Sequence, residues 1–142
     1  MRAIELSNAS DIIEHLQDFY QEIAFDDSPV IEKYTPTGVW FSLYKEDCFA
    51  GFINLKPLNN VMWEAHIMVY EKFRGTGSEE WGILAAQYAG EHLGAKKILA
   101  ITPYIPAKKY AEKVGFIYST ILKRSIKKNG QLLDQYLLEK EM

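Results

Sequence analysis

The feature that most constrains this chain is a glycine turn, residues 74–78 (RGTGS), between an apolar run and a long amphipathic segment. The apolar run ends at Val69, the amphipathic segment ends at Gly94, and a second apolar run covers residues 98–102. A helix that joins two strands in this way predicts a βαβ unit with parallel strands. The amides of such a turn, together with the N-terminus of the following helix, can bind an anion.

Length and composition limit the class of protein. The 142 residues are 48% hydrophobic and 25% charged, which predicts one globular domain over residues 1–142. No apolar run approaches the ~18 residues of a membrane-spanning helix, and the net charge of -3 argues against nucleic-acid binding. The single cysteine, Cys48, excludes an internal disulfide and, with no signal peptide, favours a cytoplasmic protein.

Before the glycine turn, the pattern predicts one strand, one helix and three further strands. Residues 1–6 alternate weakly, and Ser10 is placed as the N-cap of a helix of about four turns. The helix ends near Asp26, and a loop follows to Gly38. Aromatic and branched residues then predict strands over 39–44, 48–55 and 61–69.

After the turn, Ser78 is predicted to cap a helix with Glu79 and Glu80 in its first turn, where the helix dipole favours acids. The helix ends at Gly94. The remaining elements are a strand over 97–102, a helix over 106–114, and a hairpin of strands 118–126 and 131–138. The chain therefore predicts an α/β fold in which a mixed sheet of about seven strands is flanked by three to four helices.

The strand before the glycine turn carries the best acid–base pair in the sequence. In a regular strand Glu64, His66 and Met68 lie on one face, so the carboxyl and imidazole groups are neighbours. Such a pair can act in general acid–base catalysis. The alternative is a polar strand face on which His66 only bonds to a neighbour.

The other candidate groups indicate structural roles. His15 and His92 lie on helices without acidic or cysteine partners at ligand spacing, so no metal site is predicted. Cys48 is predicted to be a small buried side chain at the start of a strand. Five aromatic residues on paired strands are predicted to lie in the core: Trp40, Phe41, Tyr44, Phe49 and Phe52.

The chain contains FRGTG at residues 73–77, GAKK at 94–97 and AEKVGF at 111–116, in this order. Together with the order of the elements, these motifs resemble the GNAT superfamily of acetyltransferases. The resemblance covers residue 39 to the end at the level of the fold and residues 69–116 at the level of motifs. It implies a GNAT-like fold.

The resemblance implies that acetyl-CoA binds at the glycine turn and along the preceding strand. In that family the turn wraps the pyrophosphate, and a gap between two splayed parallel strands takes the pantetheine. The implied contacts are the Val69 backbone and the turn residues Arg74, Gly75, Thr76, Gly77 and Ser78. Glu64 or His66 is then the general base for direct attack of an amine on the thioester, with no acyl-enzyme.

Two positions depart from the family pattern. Glu79 replaces a small residue that would let the backbone approach the phosphates, and its charge repels each phosphate charge by ~1 kcal/mol in water. This predicts weakened binding of acetyl-CoA; the alternative is that the turn only connects strand and helix. Ala111 replaces a tyrosine that protonates the leaving thiolate, and Tyr110, about 100° around the helix, indicates packing. Tyr104 and Tyr118 stay open as substitutes.

A narrower resemblance concerns small GNAT-like proteins of tailed phages, some of them head-assembly proteins. It rests on residues 102–106, 111–116, 125 and 129–135. Basic side chains are concentrated in the same C-terminal third: Lys108, Lys109, Lys113, Lys123, Arg124, Lys127 and Lys128. The default interpretation is a solvated face, and the alternative is a contact with a nucleotide or a protein.

Three functions therefore stay open. The first is an N-acetyltransferase that acts on a small-molecule or protein amine. The second is a non-catalytic protein that works by protein–protein contact, such as phage head assembly. The third is a regulator that binds coenzyme A without turnover. Neither nucleic acid nor a membrane is expected as a partner, and a homodimer is a possible assembly.

Overall fold

A computed structural model of the protein describes residues 1–29 and 36–142. The strands of this part of the chain are β1 (Arg2–Leu6), β2 (Val39–Lys45), β3 (Cys48–Pro57), β4 (Met62–Val69), β5 (Lys97–Thr102), β6 (Ile117–Lys128) and β7 (Gln131–Glu141). Its α-helices are α1 (Ala9–Leu16), α2 (Tyr20–Ile23), α3 (Glu79–His92) and α4 (Ile105–Val114). Residues 30–35 of the predicted loop lie outside the described residues.

The parallel pair lies in the middle of one mixed sheet. The strand order is β1-β2-β3-β4-β5-β7-β6, and β4 and β5 are parallel while the other neighbours are antiparallel. The predicted α/β fold and its parallel βαβ unit are confirmed. No helix among the described residues is long and apolar enough to cross a membrane.

The two faces of the sheet are covered by different helices. One core contains Trp81 from α3 and Val114 from α4, packed against inward-facing strand residues such as Phe41. A second core lies under α1 and includes Leu16 and Phe52. Of the aromatic residues predicted for the core, three are buried and two are half-buried: Trp40, Phe41 and Phe52, then Tyr44 and Phe49.

The predicted first helix is wrong in its cap and in its continuity. The N-cap is Asn8, whose side-chain oxygen accepts from the Asp11 amide at 2.9 Å, whereas the Ser10 hydroxyl donates to Asn8 at 2.8 Å. Because an asparagine two residues earlier satisfies the free amide, the helix begins before Ser10. It also ends at Leu16, and a tight turn that buries Phe19 separates it from α2.

The prediction for Cys48 is also wrong, because its side chain is exposed. Cys48 is the first residue of β3 and pairs with Lys45 across the β2–β3 hairpin, where both strands reach solvent. The predicted C-terminal hairpin is confirmed. Its turn has positive φ at Asn129 (53°) and Gly130 (77°), as a two-residue turn between twisted strands requires.

Candidate active site

The two central strands separate along their length. β4 and β5 pair over three residues, from Met62–Lys97 to Glu64–Leu99, while β4 remains paired with β3 up to Val69. β5 meanwhile remains paired with β7. The strands therefore diverge beyond Glu64 and leave a wedge-shaped opening between them.

Backbone groups of β4 face this opening. The Tyr70 amide donates to Ala50 on the β3 side at 2.9 Å, so alternation along the strand turns the peptide groups of Val69 and Ile67 toward the opening. The Val69 carbonyl accepts a hydrogen bond from Arg74 Nε at 2.8 Å. The opening is thus lined by main-chain groups that a bound amide-containing chain could use.

Behind the opening, a cavity of about 70 Å³ lies between the sheet and helices α3 and α4. Its lining is mostly apolar, and small residues from four elements leave the space: Ala65, Gly82, Ala85, Ala86, Ala100 and Ala111. His66 borders the same cavity. An apolar chain that entered the opening would therefore be taken out of water.

The glycine turn presents unpaired amides. The Ser78 amide donates to the Gly75 carbonyl at 3.1 Å, which closes the turn. Among the described contacts, the amides of Gly75, Thr76, Gly77 and Glu79 have no acceptor. Several amides at a turn beside the positive end of a helix form an anion-binding surface.

Arg2 supports the turn from the other end of the chain. One of its terminal nitrogens donates to the Thr76 carbonyl at 3.0 Å, and its guanidinium lies 5.1 Å from the Trp81 ring centroid. Gly77 has φ of +87°, and a Cβ there would lie 2.5 Å from Arg2 Nη1. No local pattern points to Arg2, because 74 residues separate it from Thr76.

The N-terminus of α3 is satisfied by Tyr110 rather than by the predicted cap. Ser78 occupies the N-cap position, but its side chain makes no capping hydrogen bond. The Tyr110 hydroxyl donates to the Ser78 carbonyl at 2.8 Å and accepts from the Gly82 amide at 3.2 Å. Burial, and then the nearby charge of Glu79, raise the pKa of Tyr110 well above its usual range. Tyr110 is therefore a structural residue, as its helical position predicted.

Glu64 and His66 lie where the strands begin to diverge. Glu64 belongs to the last β4–β5 pair, and its Oε2 lies 3.3 Å from His66 Nε2, so the predicted common face is confirmed. The Glu64 side chain is 20% exposed and that of His66 is 42% exposed. The hydrogen bond from His66 holds the pKa of Glu64 below its usual value, although burial opposes this. A carboxylate with an adjacent imidazole therefore stands at the narrow end of the opening.

This geometry can be compared with known proteins. A family model described as "Acetyltransferase (GNAT) family" matches residues 9–116. The chain belongs to the GNAT family of acetyltransferases. No curated protein sequence matches it at a significant level.

Solved structures of GNAT-type enzymes share the fold. A mutant of spermidine N-acetyltransferase SpeG from Vibrio cholerae superposes with a TM-score of 0.83 at 12% identity, over 99% of this chain and 93% of that one. A chimera of that enzyme with hSSAT gives 0.79 at 14% identity, over 99% and 95%. An N-acetyltransferase from Staphylococcus aureus Mu50 gives 0.76 at 14% identity, over 99% and 97%. At these identities the likeness concerns the fold alone.

Two residues predicted to bind acetyl-CoA are not free in this structure. The Arg74 side chain turns away from the glycine turn, toward Val69 and the Glu22 carboxylate, which lies 2.8 Å from its terminal nitrogen. The Ser78 amide is used within the turn. The structure thus leaves the predicted amides of Gly75, Thr76 and Gly77 free, whereas the predicted cation, Arg74, is bound to other groups.

The tyrosines considered as proton donors have other contacts. Tyr104 is the N-cap residue of α4, and its hydroxyl lies 3.1 Å from Lys128 Nζ. The Tyr118 ring lies on the terminal strand β6, 5.0 Å from Lys108 Nζ. Ala111 is buried and lines the cavity. In the described part of the chain, no three His, Cys, Asp or Glu side chains converge on a common point.

Proposed function

We propose that this GNAT-family protein transfers an acetyl group from acetyl-CoA to an amine by direct attack. One observation carries the proposal: the opening between β4 and β5 starts at Glu64, and β4 leads from there, through a short 3-10 helix (Glu71–Phe73), to the unpaired amides of the glycine turn. A single stretch of chain thus carries, in this order, an acid–base pair, one side of the opening and a turn with free amides.

The residues present fit the parts of acetyl-CoA. In this proposal the free amides of Gly75, Thr76, Gly77 and Glu79 bind the diphosphate, and the Val69 backbone binds an amide of the pantetheine arm. Acetyl-CoA would supply the acetyl thioester that the amine attacks; as the C–N bond forms the C–S bond breaks, and coenzyme A would leave as a thiolate that takes a proton from solvent. The Glu79 carboxylate is half-buried at the first position of α3, so the predicted loss of affinity stays part of the proposal.

Glu64, with His66, acts as the general base. Its low pKa keeps the carboxylate ionised at neutral pH, so it can hold the ammonium of the acceptor and receive its proton. The more exposed His66 can pass that proton to solvent. Among the described contacts none joins Cys48 to a histidine, which supports direct attack without an acyl-enzyme.

The acceptor is a small-molecule or protein amine. Spermidine is the first amine to test, because similar structures include spermidine N-acetyltransferases. The departures at Glu79 and Ala111 favour the non-catalytic alternatives, and the phage alternative also depends on the narrower resemblance described above. The similar structures named above are acetyltransferases and give no support to phage head assembly. A homodimer is a separate prediction, which sedimentation can test.

The test combines calorimetry with acetyl-CoA and an acetyl-transfer assay over a panel of amines. Replacing the base with Glu64→Gln is expected to lower turnover by about 10²- to 10⁴-fold while the affinity for acetyl-CoA stays unchanged. Glu91→Gln is the matched control, because Glu91 also lies beside a histidine, His92, but far from the opening along α3.

The results separate the three functions. Binding with transfer that Glu64→Gln abolishes supports the acetyltransferase. Binding without transfer to any amine would instead identify a regulator. Absence of binding at millimolar acetyl-CoA would contradict the proposal and leave a function by protein contact.

A further inference from the structure

Arg74 is the cation that the glycine turn would need, yet its guanidinium is already bound elsewhere. Nε donates to the Val69 carbonyl at 2.8 Å, and Nη2 contacts both Glu22 oxygens, at 3.1 and 2.8 Å. Both groups it binds lie outside the turn. Guanidinium groups bind carboxylates and phosphates through the same N–H donors, so a carboxylate on Arg74 is a direct competitor of a phosphate.

Glu22 is placed for this contact by the rest of the fold. It lies on α2, and the main-chain carbonyls of Gln21 and Glu22 accept from Lys128 Nζ at 3.2 and 2.9 Å. Just beyond α2, the Asp26 carboxylate accepts from the amides of Asn129 and Gly130, at 2.7 and 2.9 Å. The α2 segment is therefore attached to the β6–β7 turn.

The other side of the same segment contacts the end of β4. Before α2, the Asp18 carboxylate accepts from the Tyr70 hydroxyl at 2.5 Å, independently of Arg74. Because α2 is attached on two sides, the main chain of Glu22 is already held, and only its exposed side chain loses freedom when it binds Arg74. A pair of partly exposed charges is ordinarily weak, and prior placement of one partner reduces the entropic cost.

We propose that Glu22 is a positioning residue that lowers the affinity for acetyl-CoA by holding Arg74 away from the glycine turn. This inference rests on the proposed function. Arg74 directly precedes Gly75, so rotation of its side chain brings the guanidinium to an anion bound on the turn amides. Binding of the diphosphate then exchanges one anionic partner of Arg74 for another. It also frees the Val69 carbonyl, which faces the opening.

The experiment measures affinity by calorimetry, with acetyl-CoA and with inorganic pyrophosphate as probes. Glu22→Gln is expected to tighten the binding of both by about two- to fivefold, the range that release of one partly exposed ion pair allows. Asp18→Asn is the matched control. It removes the same charge from the same segment without touching Arg74, and it keeps a side-chain oxygen that can accept from the Tyr70 hydroxyl, so the attachment of α2 is retained. Its affinities are therefore expected to equal those of the wild type.

Repeating the change in an Arg74→Gln background separates competition for Arg74 from the general effect of removing a negative charge. In Arg74→Gln, the additional change Glu22→Gln is expected to leave both affinities unchanged, because the contested cation is gone. Thermal unfolding of every variant confirms that each is folded.

The outcomes distinguish this inference from the proposed function. Tightening in Glu22→Gln that depends on Arg74 supports the inference. If the wild type binds acetyl-CoA but Glu22→Gln binds no better, or Asp18→Asn tightens binding equally, Glu22 does not compete for Arg74. If no variant binds acetyl-CoA, the proposed function falls and the inference falls with it.

Discussion

The glycine turn and the α2 segment both contact the end of β4, but they are built in different ways. The backbone conformation of the turn is set by its own residues, because Gly75 and Gly77 have positive φ and their amides are left free. Distant residues only add hydrogen bonds to it, from Arg2 and from Tyr110. The function inferred for α2 depends on partners far away in sequence. Glu22 is 52 residues from Arg74, and its carbonyl is 106 residues from Lys128. A local motif therefore predicts the proposed anion site, while its proposed control by α2 can be inferred only from the folded chain.

The largest effect on stability is expected at Tyr110, which bonds to the start of α3 from a distant position in the sequence. Tyr110→Phe removes the hydroxyl that bonds to Ser78 and Gly82. The Ser78 carbonyl keeps the Trp81 amide as a donor at 3.3 Å, but the Gly82 amide loses its described acceptor. Urea unfolding should show a loss of about 1–3 kcal/mol.

Tyr118→Phe is the control for this change. The Tyr118 hydroxyl makes no hydrogen bond among the described contacts, so its loss should cost less than about 0.5 kcal/mol. Equal stability of the two variants would show that the start of α3 does not depend on Tyr110.

The next largest effect on stability is expected at Gly77, and it tests whether the glycine turn depends on its own residues. Gly77→Ala forces a residue with a side chain to adopt φ of +87° and displaces Arg2 Nη1. The expected loss of stability is about 1–2 kcal/mol, with weaker binding of acetyl-CoA.

Gly90→Ala, in the last turn of α3, should have the opposite sign. The added methyl meets only ordinary contact with Met142, at 3.4 Å, so a gain of about 0.5–1 kcal/mol is expected by the same unfolding measurement. If Gly77→Ala were equally harmless, the turn would not require its glycines.

A smaller effect is expected at the attachment of α2. Lys128→Met keeps the apolar stem and loses the three donors to Gln21, Glu22 and Tyr104. The variant should lose about 1 kcal/mol, because these are charged donors in a largely exposed place. Lys127→Met is the neighbouring control with no described side-chain bond, and a loss as large as in Lys128→Met would contradict a specific attachment.

The pH dependence of stability tests the contact between Glu64 and His66, at the narrow end of the opening. The native pKa of Glu64 lies below its usual value of 4.5, chiefly because of the hydrogen bond from His66. The resulting stabilisation is present above pH 4.5 and is lost as the pH falls through the lowered native pKa. Unfolding at several pH values should therefore show wild type and Glu64→Gln converging in acid. A difference that grows in acid would contradict this assignment.

Much of the fold could be predicted from the sequence, because periodicity and turn residues act locally. The strand before the turn, α3 and β5 follow from apolar spacing between Val69 and Thr102, and the last hairpin follows from Asn129 and Gly130. The break after Leu16 could not be predicted. It depends on Phe19 being buried in the second core, which is a tertiary effect.

The candidate site was predictable to the same extent. Glu64 and His66 share a face because strands alternate, and the turn amides are free because the glycines shape the backbone. Arg2, Tyr110 and Glu22 have no local signal for their roles. Each reaches the site through a contact between elements that are distant in sequence.

The most direct test of the whole account is the response of individual backbone amides to acetyl-CoA, followed by heteronuclear NMR on the assigned protein. We predict that the amide signals of Gly75, Thr76, Gly77 and Glu79 shift together on titration, while that of Gly130, in the hairpin turn, does not. Saturating acetyl-CoA that leaves these four signals unchanged would contradict the claim that the glycine turn binds the diphosphate.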